Sequence, residues 1–244
     1  RKAVVKKFNQ VWEWNCSNFA ELEEDLKAKI KSSDNRQKVR EESNQIIDSL
    51  KICDPAVGSG HFLVSALNEI IAIKNDLAIL SYRDGRRIND YSVEISNDEL
   101  VIINKMSDDE YLFEYNPGIP DSQKLQEALF HEKKNIIENC LFGVDINPNS
   151  AKICRLRLWI ELLKNAYYNA DGVLETLPNI DINIKRGNSL ISRFPLDADL
   201  SRALRKSKWS IDSYRATVQT YRQAQDKAQK HEMERLIADI KSDF

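Results

Sequence analysis

The run Ile52-Cys53-Asp54-Pro55-Ala56-Val57-Gly58-Ser59-Gly60-His61-Phe62-Leu63 constrains this chain more than any other stretch. A short apolar segment ends in an acid, passes two glycines and enters a helical pattern. In that pattern Leu63, Ala66, Leu67, Ile70 and Ile71 fall on one stripe. Glycines at such a turn let backbone approach a ligand closely and adopt dihedrals that other residues avoid. The helix start adds free amide donors and the positive end of a dipole. An acid at the strand tip suits a ligand carrying a cationic amine or hydroxyls. The same pattern also serves as a tight strand-to-helix turn with no ligand, so alone it decides little. A dinucleotide site needs a third glycine and an acid ending a second strand about 20 residues on. Here Leu63 takes the third position and Asp76 lies inside the helix, which excludes the nicotinamide reading.

Two further stretches repeat the theme. Cys140-Leu141-Phe142-Gly143-Val144-Asp145-Ile146-Asn147-Pro148-Asn149 is an apolar strand ending in Asp145, with Asn147 placed to cap a helix and Pro148 at its first position. An acid at a second strand tip grips ribose in nucleoside-binding α/β folds, and it can equally be a helix-capping or solvated acid. In the following helix Ile153, Leu156, Ile160 and Leu163 are expected to form the core stripe. Asp181-Ile182-Asn183-Ile184-Lys185-Arg186-Gly187-Asn188-Ser189-Leu190-Ile191 supplies a third strand, then Gly and a side chain able to read an adenine edge. Taken singly it is no better than a loop. Together, in order, the three place acids, glycines and an amide at successive strand C-termini, where open α/β sheets bind ligands.

These stretches resemble motifs I, II and III of amino-group DNA methyltransferases, in the wording of the large type IIG restriction–modification enzymes. The resemblance covers residues 50–77 and 136–192. It implies a Rossmann-like S-adenosylmethionine-dependent methyltransferase sheet, and adenine in DNA as the methyl acceptor of the whole protein. Carried over by position, Asp54, Pro55, Ala56, Gly58, Ser59 and Gly60 would cradle the methionine part of the cofactor, with Phe62 closing the pocket. Asp145 would take the ribose hydroxyls, Ile146 would pack on the adenine, and Asn188 would bond its amine. Val57 stands where Cys is commoner, and Asn188 where many relatives have Asp.

The catalytic Asn/Asp-Pro-Pro-Tyr/Phe motif of that family is absent, as is its earlier Thr-Pro-containing motif, so no catalytic residue is assigned. Asn147-Pro148-Asn149-Ser150 and Asn116-Pro117-Gly118-Ile119 are near misses read as turns. The chemistry gives the absence weight: a flipped adenine must stack on an aromatic, with its amine held in line with the sulfonium methyl. The chain starts Arg1-Lys2 without Met and stops at Phe244 inside a helical pattern, so it reads as a fragment that binds cofactor and transfers nothing alone. RNA or protein glutamine as acceptor, or a non-catalytic cofactor-binding or assembly module, are the alternatives.

Composition fits that frame. With 42% hydrophobic residues in 244, the chain can bury one ordinary core beside a helical appendage. A net charge of −2 argues against autonomous DNA binding, so DNA is expected as a partner only through the full-length protein. Cys16, Cys53, Cys140 and Cys154 form no metal-type pair and read as buried reduced thiols of a cytoplasmic protein. His61 and His131 lack ligand-spaced partners, so no metal is expected. No stretch approaches a membrane span, and no oligomeric state can be read. Three regions are expected: a helical extension over 1–48, a cofactor-binding core over 49–197 with a β insertion at about 81–122, and a polar helical extension over 198–244. Arg222–Arg235, almost devoid of large apolar residues, is expected to project into solvent or pack on something missing. Arg155–Trp159 reads as a salt-bridged helix face, and Arg202, Arg205, Lys206 and Lys208 as a solvated one that could meet DNA.

Overall fold

In the computed structural model, residues 1–105, 111–169, 171–191, 207–224 and 226–243 are described. The N-terminal region forms three helices: α1 (Lys2–Trp12), α2 (Phe19–Ser32) and α3 (Arg36–Asp48). Asn18 caps α2 and Asn35 caps α3, each accepting from a backbone N–H three residues on. Phe8, Leu22, Leu26 and Ile47 have no exposed surface and join the three helices to the main core.

Three parallel strands follow in the spatial order β1 (Ile52–Asp54), β5 (Leu141–Asp145), β6 (Ile184–Arg186). This is an α/β arrangement with a parallel sheet, the class that the three strand-to-helix stretches point to. Between β1 and β5 the chain runs through α4 (His61–Asp76), an antiparallel sheet and α5 (Pro120–Asn139). That sheet comprises β2 (Tyr91–Ser96), β3 (Glu99–Asn104) and β4 (Tyr111–Leu112). Asn97 and Asp98 join β2 to β3 with φ of 52° and 64°. Two left-handed residues in a two-residue loop match the right-handed twist of the strands they connect. The helix α6 (Pro148–Leu163) links β5 to β6, and α7 (Ile211–Gln223) and α8 (Lys227–Asp243) close the chain. Residues 192–206, with the expected basic positions Arg202, Arg205 and Lys206, lie outside the described residues.

Along β5, Leu141 and Gly143 are buried, as is Ile184 of β6, on the face that meets the helices. The alternate residues Cys53, Phe142, Val144 and Lys185 are half-buried or exposed. Parallel sheets are normally covered on both faces, and among the described residues the second face is largely bare. The expectation of a buried Cys53 is therefore corrected: it points to the uncovered face, while Cys16, Cys140 and Cys154 are buried.

The second correction concerns α6. Ile153, Leu156, Ile160 and Leu163 are 45–55% exposed, and the buried line is Ala151, Cys154, Leu158 and Leu162. The helix carries two apolar lines of the same period, and the smaller side chains face inward, where the chain packs against the glycine turn. The third correction concerns the polar C-terminal segment, which docks through hydrogen bonds rather than projecting. Arg222 donates to the Glu138 carbonyl and to Asn139 Oδ1 at 3.2 Å, and Lys230 Nζ lies 2.8 Å from Asp181. Tyr221, almost fully buried, donates to Asp181 at 3.2 Å.

Buried charge ties the helices together. Lys74 on α4 has no exposed side-chain surface and pairs with Glu132 on α5 and with Asp48 on α3, the latter at 2.6 Å. Burial alone would lower its pKa, but Glu132 and Asp48 outweigh it and hold the ammonium above its usual range. Lys133, facing Glu161 at 3.6 Å, shows the opposite balance: burial wins and pushes it down to about 8.

Candidate functional site

The site is built where the first two strands end. Asp54 closes its own turn, its Oδ1 accepting from the Ala56 N–H at 3.0 Å. The Val57 N–H donates to the Val144 carbonyl at 2.9 Å, and the Gly60 N–H to the Val57 carbonyl at 2.8 Å. These bonds stitch the turn to β5. Val57 lies against Gly143, where any β-carbon would come within 2.8 Å of the valine Cγ2. The glycine of the second motif is thus required by packing against the first.

Gly58 and Gly60 both have positive φ, 52° and 81°, for different ends. Above Gly58 the space is open: a β-carbon there would find its nearest atom, the Ala56 carbonyl oxygen, 4.0 Å away. Beneath Gly60 it is filled, since a β-carbon would meet Cys154 Sγ at 2.6 Å. One glycine leaves room on the solvent side, and the other lets α4 start hard against α6.

Asp145 is the hub. Its Oδ2 accepts from the Gly58 N–H at 2.9 Å and its Oδ1 from the Asn147 N–H at 2.8 Å. Its backbone carbonyl accepts from the Gly187 N–H, also at 2.9 Å. All three stretches singled out in the sequence therefore converge on one residue. A carboxylate offers about four acceptor positions, so two stay free for a ligand. Asn147 caps α6 through its Oδ1 to the Asn149 N–H at 2.9 Å, so that near miss is a helix start and not the expected turn, whereas Asn116 holds Gly118 in a turn in the same way.

Asn188 Oδ1 accepts from the Leu190 N–H at 3.0 Å, while its amide NH2 has no partner among the described residues. Around this rim Pro55, Ala56 and Ser59 are exposed or half-buried, and the apolar Phe62 and Ile146 stand 55% and 69% open to solvent. The structure thus brings Asp54, Gly58, Gly60 and Asp145 into one bonded unit. Phe62, Ile146 and Asn188 belong to the segments that flank it.

Several neighbours take parts that the sequence did not indicate. Cys154 forms the floor under Gly60, and burial pushes its thiol up to about 11. Arg157 reaches the turn from α6, its Nη1 donating to Ser59 Oγ at 3.3 Å. Arg155 instead pairs with Asp181 at 2.9 Å and donates to the Ile184 carbonyl, so the salt-bridged reading of this face holds for one arginine of two. His61 does have an acidic neighbour: Asp98, at the tip of the β2–β3 turn, lies 3.7 Å away, both side chains exposed. No group of three or more metal-ligating side chains occurs among the described residues. No described helix is long and apolar enough to cross a membrane.

Comparison with known proteins gives this geometry a family. The chain is similar over 192 residues, at 32% identity, to a putative type II restriction enzyme and methyltransferase of Methanocaldococcus jannaschii, RM.MjaORFECS2P. A second relative is the type II restriction enzyme and methyltransferase RM.Eco57I of Escherichia coli, 28% identical over 148 residues. The alignments cover 77% and 60% of this chain but only 13% and 12% of those relatives. No solved structure matches it. Residues 29–244 match the family described as MmeI, DNA-methyltransferase domain. The chain therefore belongs to the MmeI DNA-methyltransferase domain family, a methyltransferase domain of the type IIG-like restriction–modification kind.

Proposed function

We propose that this chain is the S-adenosylmethionine-binding part of an adenine-specific DNA methyltransferase, folded as one half of a Rossmann-like sheet within a longer restriction–modification protein. The observation that carries the reading is the convergence on Asp145 of the glycine turn, the second strand tip and Gly187. The residues present fit the cofactor. Open space over Gly58 admits a ligand that a β-carbon would crowd, and Asp145 keeps two acceptor positions for a pair of ribose hydroxyls. Asp54 and the backbone of Pro55, Ala56, Ser59 and Gly60 face the methionine end, where Asp54 offers a counter-charge to its ammonium. Phe62 and Ile146, exposed as they are, bury apolar surface once the pocket fills, at about 25 cal/mol per Å2. Asn188 presents its free NH2 to an adenine ring nitrogen and the second lone pair of Oδ1 to the adenine amine.

The bound cofactor supplies an electrophilic methyl group on a sulfonium. This chain's part is to hold and orient it; it has no Asn/Asp-Pro-Pro-Tyr/Phe motif to grip a target amine. Methyl transfer to DNA, and any cleavage, belong to the longer protein, as does cytoplasmic residence. We divide the sequence into a helical region 1–48, the cofactor-binding core 49–197 and a helical region 198–244.

The test is calorimetric titration of the chain with S-adenosylmethionine, beside Asp145→Ala. Binding by the unaltered chain and none by the variant is expected. Equal affinity in both would remove the ribose role of Asp145. Transfer of labelled methyl to duplex DNA by this chain alone would overturn the division of labour.

A further inference from the structure

Away from the Asp145 rim, a groove of about 500 Å3 runs between α3, α5 and the turn at residues 81–87. It lies past the far end of α4, whose 16 residues rise about 24 Å from the glycine turn. It is therefore a separate place on the molecule.

Its charges are unevenly matched. Four carboxylates line it, and only Asp84 has a cation to itself. Asp48 and Glu132 hold Lys74, Asp84 holds Arg86 at 2.7 Å, and Glu41 accepts from Gln37 at 2.9 Å. Arg40 and Arg83 also line it, and neither forms an ion pair or side-chain hydrogen bond among the described residues; nor does Arg87 beside Arg40. Two polar atoms in this wall, Arg40 Nε and Asn44 Oδ1, are buried without a partner. Of the two, Arg40 Nε is the donor, and leaving a donor of a charged group unmade is unfavourable. The crowding of positive charge is felt by its neighbours. Burial, and then Arg40, hold Arg87 below the usual guanidinium range. Burial, then Arg83 and Lys134, push His131 down to about 4, with Glu175 pulling the other way. At neutral pH that imidazole is uncharged, bonded through Nε2 to Tyr167 Oη at 2.8 Å.

We propose that this groove is a phosphate-binding site, in which Arg40 and Arg83 receive the oxyanion. Guanidinium groups match phosphate in geometry and donor number. Arg40 on α3 and Arg83 on the 81–87 turn offer guanidinium N–H donors from two walls of the groove, and the several oxygens of a phosphate use more of them than the two of a carboxylate. The phosphate can come from a DNA backbone or from a free phosphate or nucleotide. The DNA source rests on the methyltransferase reading above; the site itself does not.

The experiment uses the whole chain, Arg40→Gln, Arg83→Gln and the double variant, each checked for folding by circular dichroism, with Arg40→Lys as a charge-keeping control. Binding to a fluorescein-labelled duplex is followed by anisotropy across a salt series. Binding of inorganic phosphate and pyrophosphate is followed by calorimetry. If DNA is the source, the chain binds duplex, and the slope of log K against log salt falls by about 0.9 for each arginine contact removed. If a free phosphate is the source, pyrophosphate binds and is lost in the folded double variant, with duplex binding unaltered. Failure of the unaltered chain to bind any of these probes, or equal binding by the folded double variant, overturns the proposal. Titration with S-adenosylmethionine in parallel reports on the distant rim, so failure there is read separately.

Discussion

Gly60 shows how much one hydrogen atom can decide. Its φ of 81° is strained for any residue with a β-carbon, and the space such a carbon would take is held by Cys154 Sγ. Left-handed backbone costs a non-glycine residue about 1–2 kcal/mol, and overpacking a filled site about 1–3 kcal/mol. Gly60→Ala is expected to lower unfolding stability by about 2–5 kcal/mol in urea titration. Cys154→Ala in the same chain should recover only the share due to Sγ, because the backbone strain and the contacts with the residue 154 Cβ and Cα, at 3.1 and 3.2 Å, stay. Strictly additive effects of the two substitutions would show that they do not touch. The glycines were legible in the sequence because turn chemistry is local. Cys154 was not, because its role exists only once α6 crosses the turn. Asp145 lies between: its place at a strand tip was readable, and its bond to the Gly58 amide was not.

At the level of the element, α6 teaches why periodicity alone can choose the wrong face. Ala151-Cys154-Leu158-Leu162 and Ile153-Leu156-Ile160-Leu163 both repeat at helical spacing, and the second is the more hydrophobic by size. Proximity to Gly60 selects the first, since only small residues fit at the start of the helix. The consequence is measurable. Leu156→Gln with Ile160→Gln is expected to leave the melting temperature within a few degrees of the parent, surface changes being worth about 0.5 kcal/mol or less. Leu158→Ala is expected to cost about 2–5 kcal/mol. The reverse ranking in thermal melts would restore the outer line as core. The hairpin β2–β3 was readable because Asn97-Asp98 between alternating residues is a turn signal. The lean of that turn on α4, where Asn68 donates to the Asp98 carbonyl at 3.0 Å, was not.

For the molecule as a whole, strand order and the one-sided cover of the sheet matter most. The α/β class followed from alternating strands and helices, since their periods differ. That β1 and β6 flank β5 emerges only in the folded chain, because pairing between distant strands leaves no local mark, and the same holds for the bare face carrying Cys53 and Phe142. Thiol chemistry reads that face directly. Cys53 is exposed, whereas Cys140 and Cys154 are buried and burial pushes both thiols up to about 11. At pH 8, iodoacetamide followed by mass spectrometry of the native chain should label Cys53 well before the other three. Equal labelling of all four would mean that the core opens readily, or that Cys53 is covered.

The bond from Gly58 to Asp145 joins residues 87 positions apart. Closing a loop of that length costs about 4 kcal/mol in chain entropy before any contact is made. The helices α1–α3 and the β2–β3 turn join near neighbours and can form early, whereas the β1–β5 register waits for this long closure. Contact order therefore predicts that the helices and hairpin form first and the Asp145 rim last. A ligand held by that rim would stabilise only the completed fold.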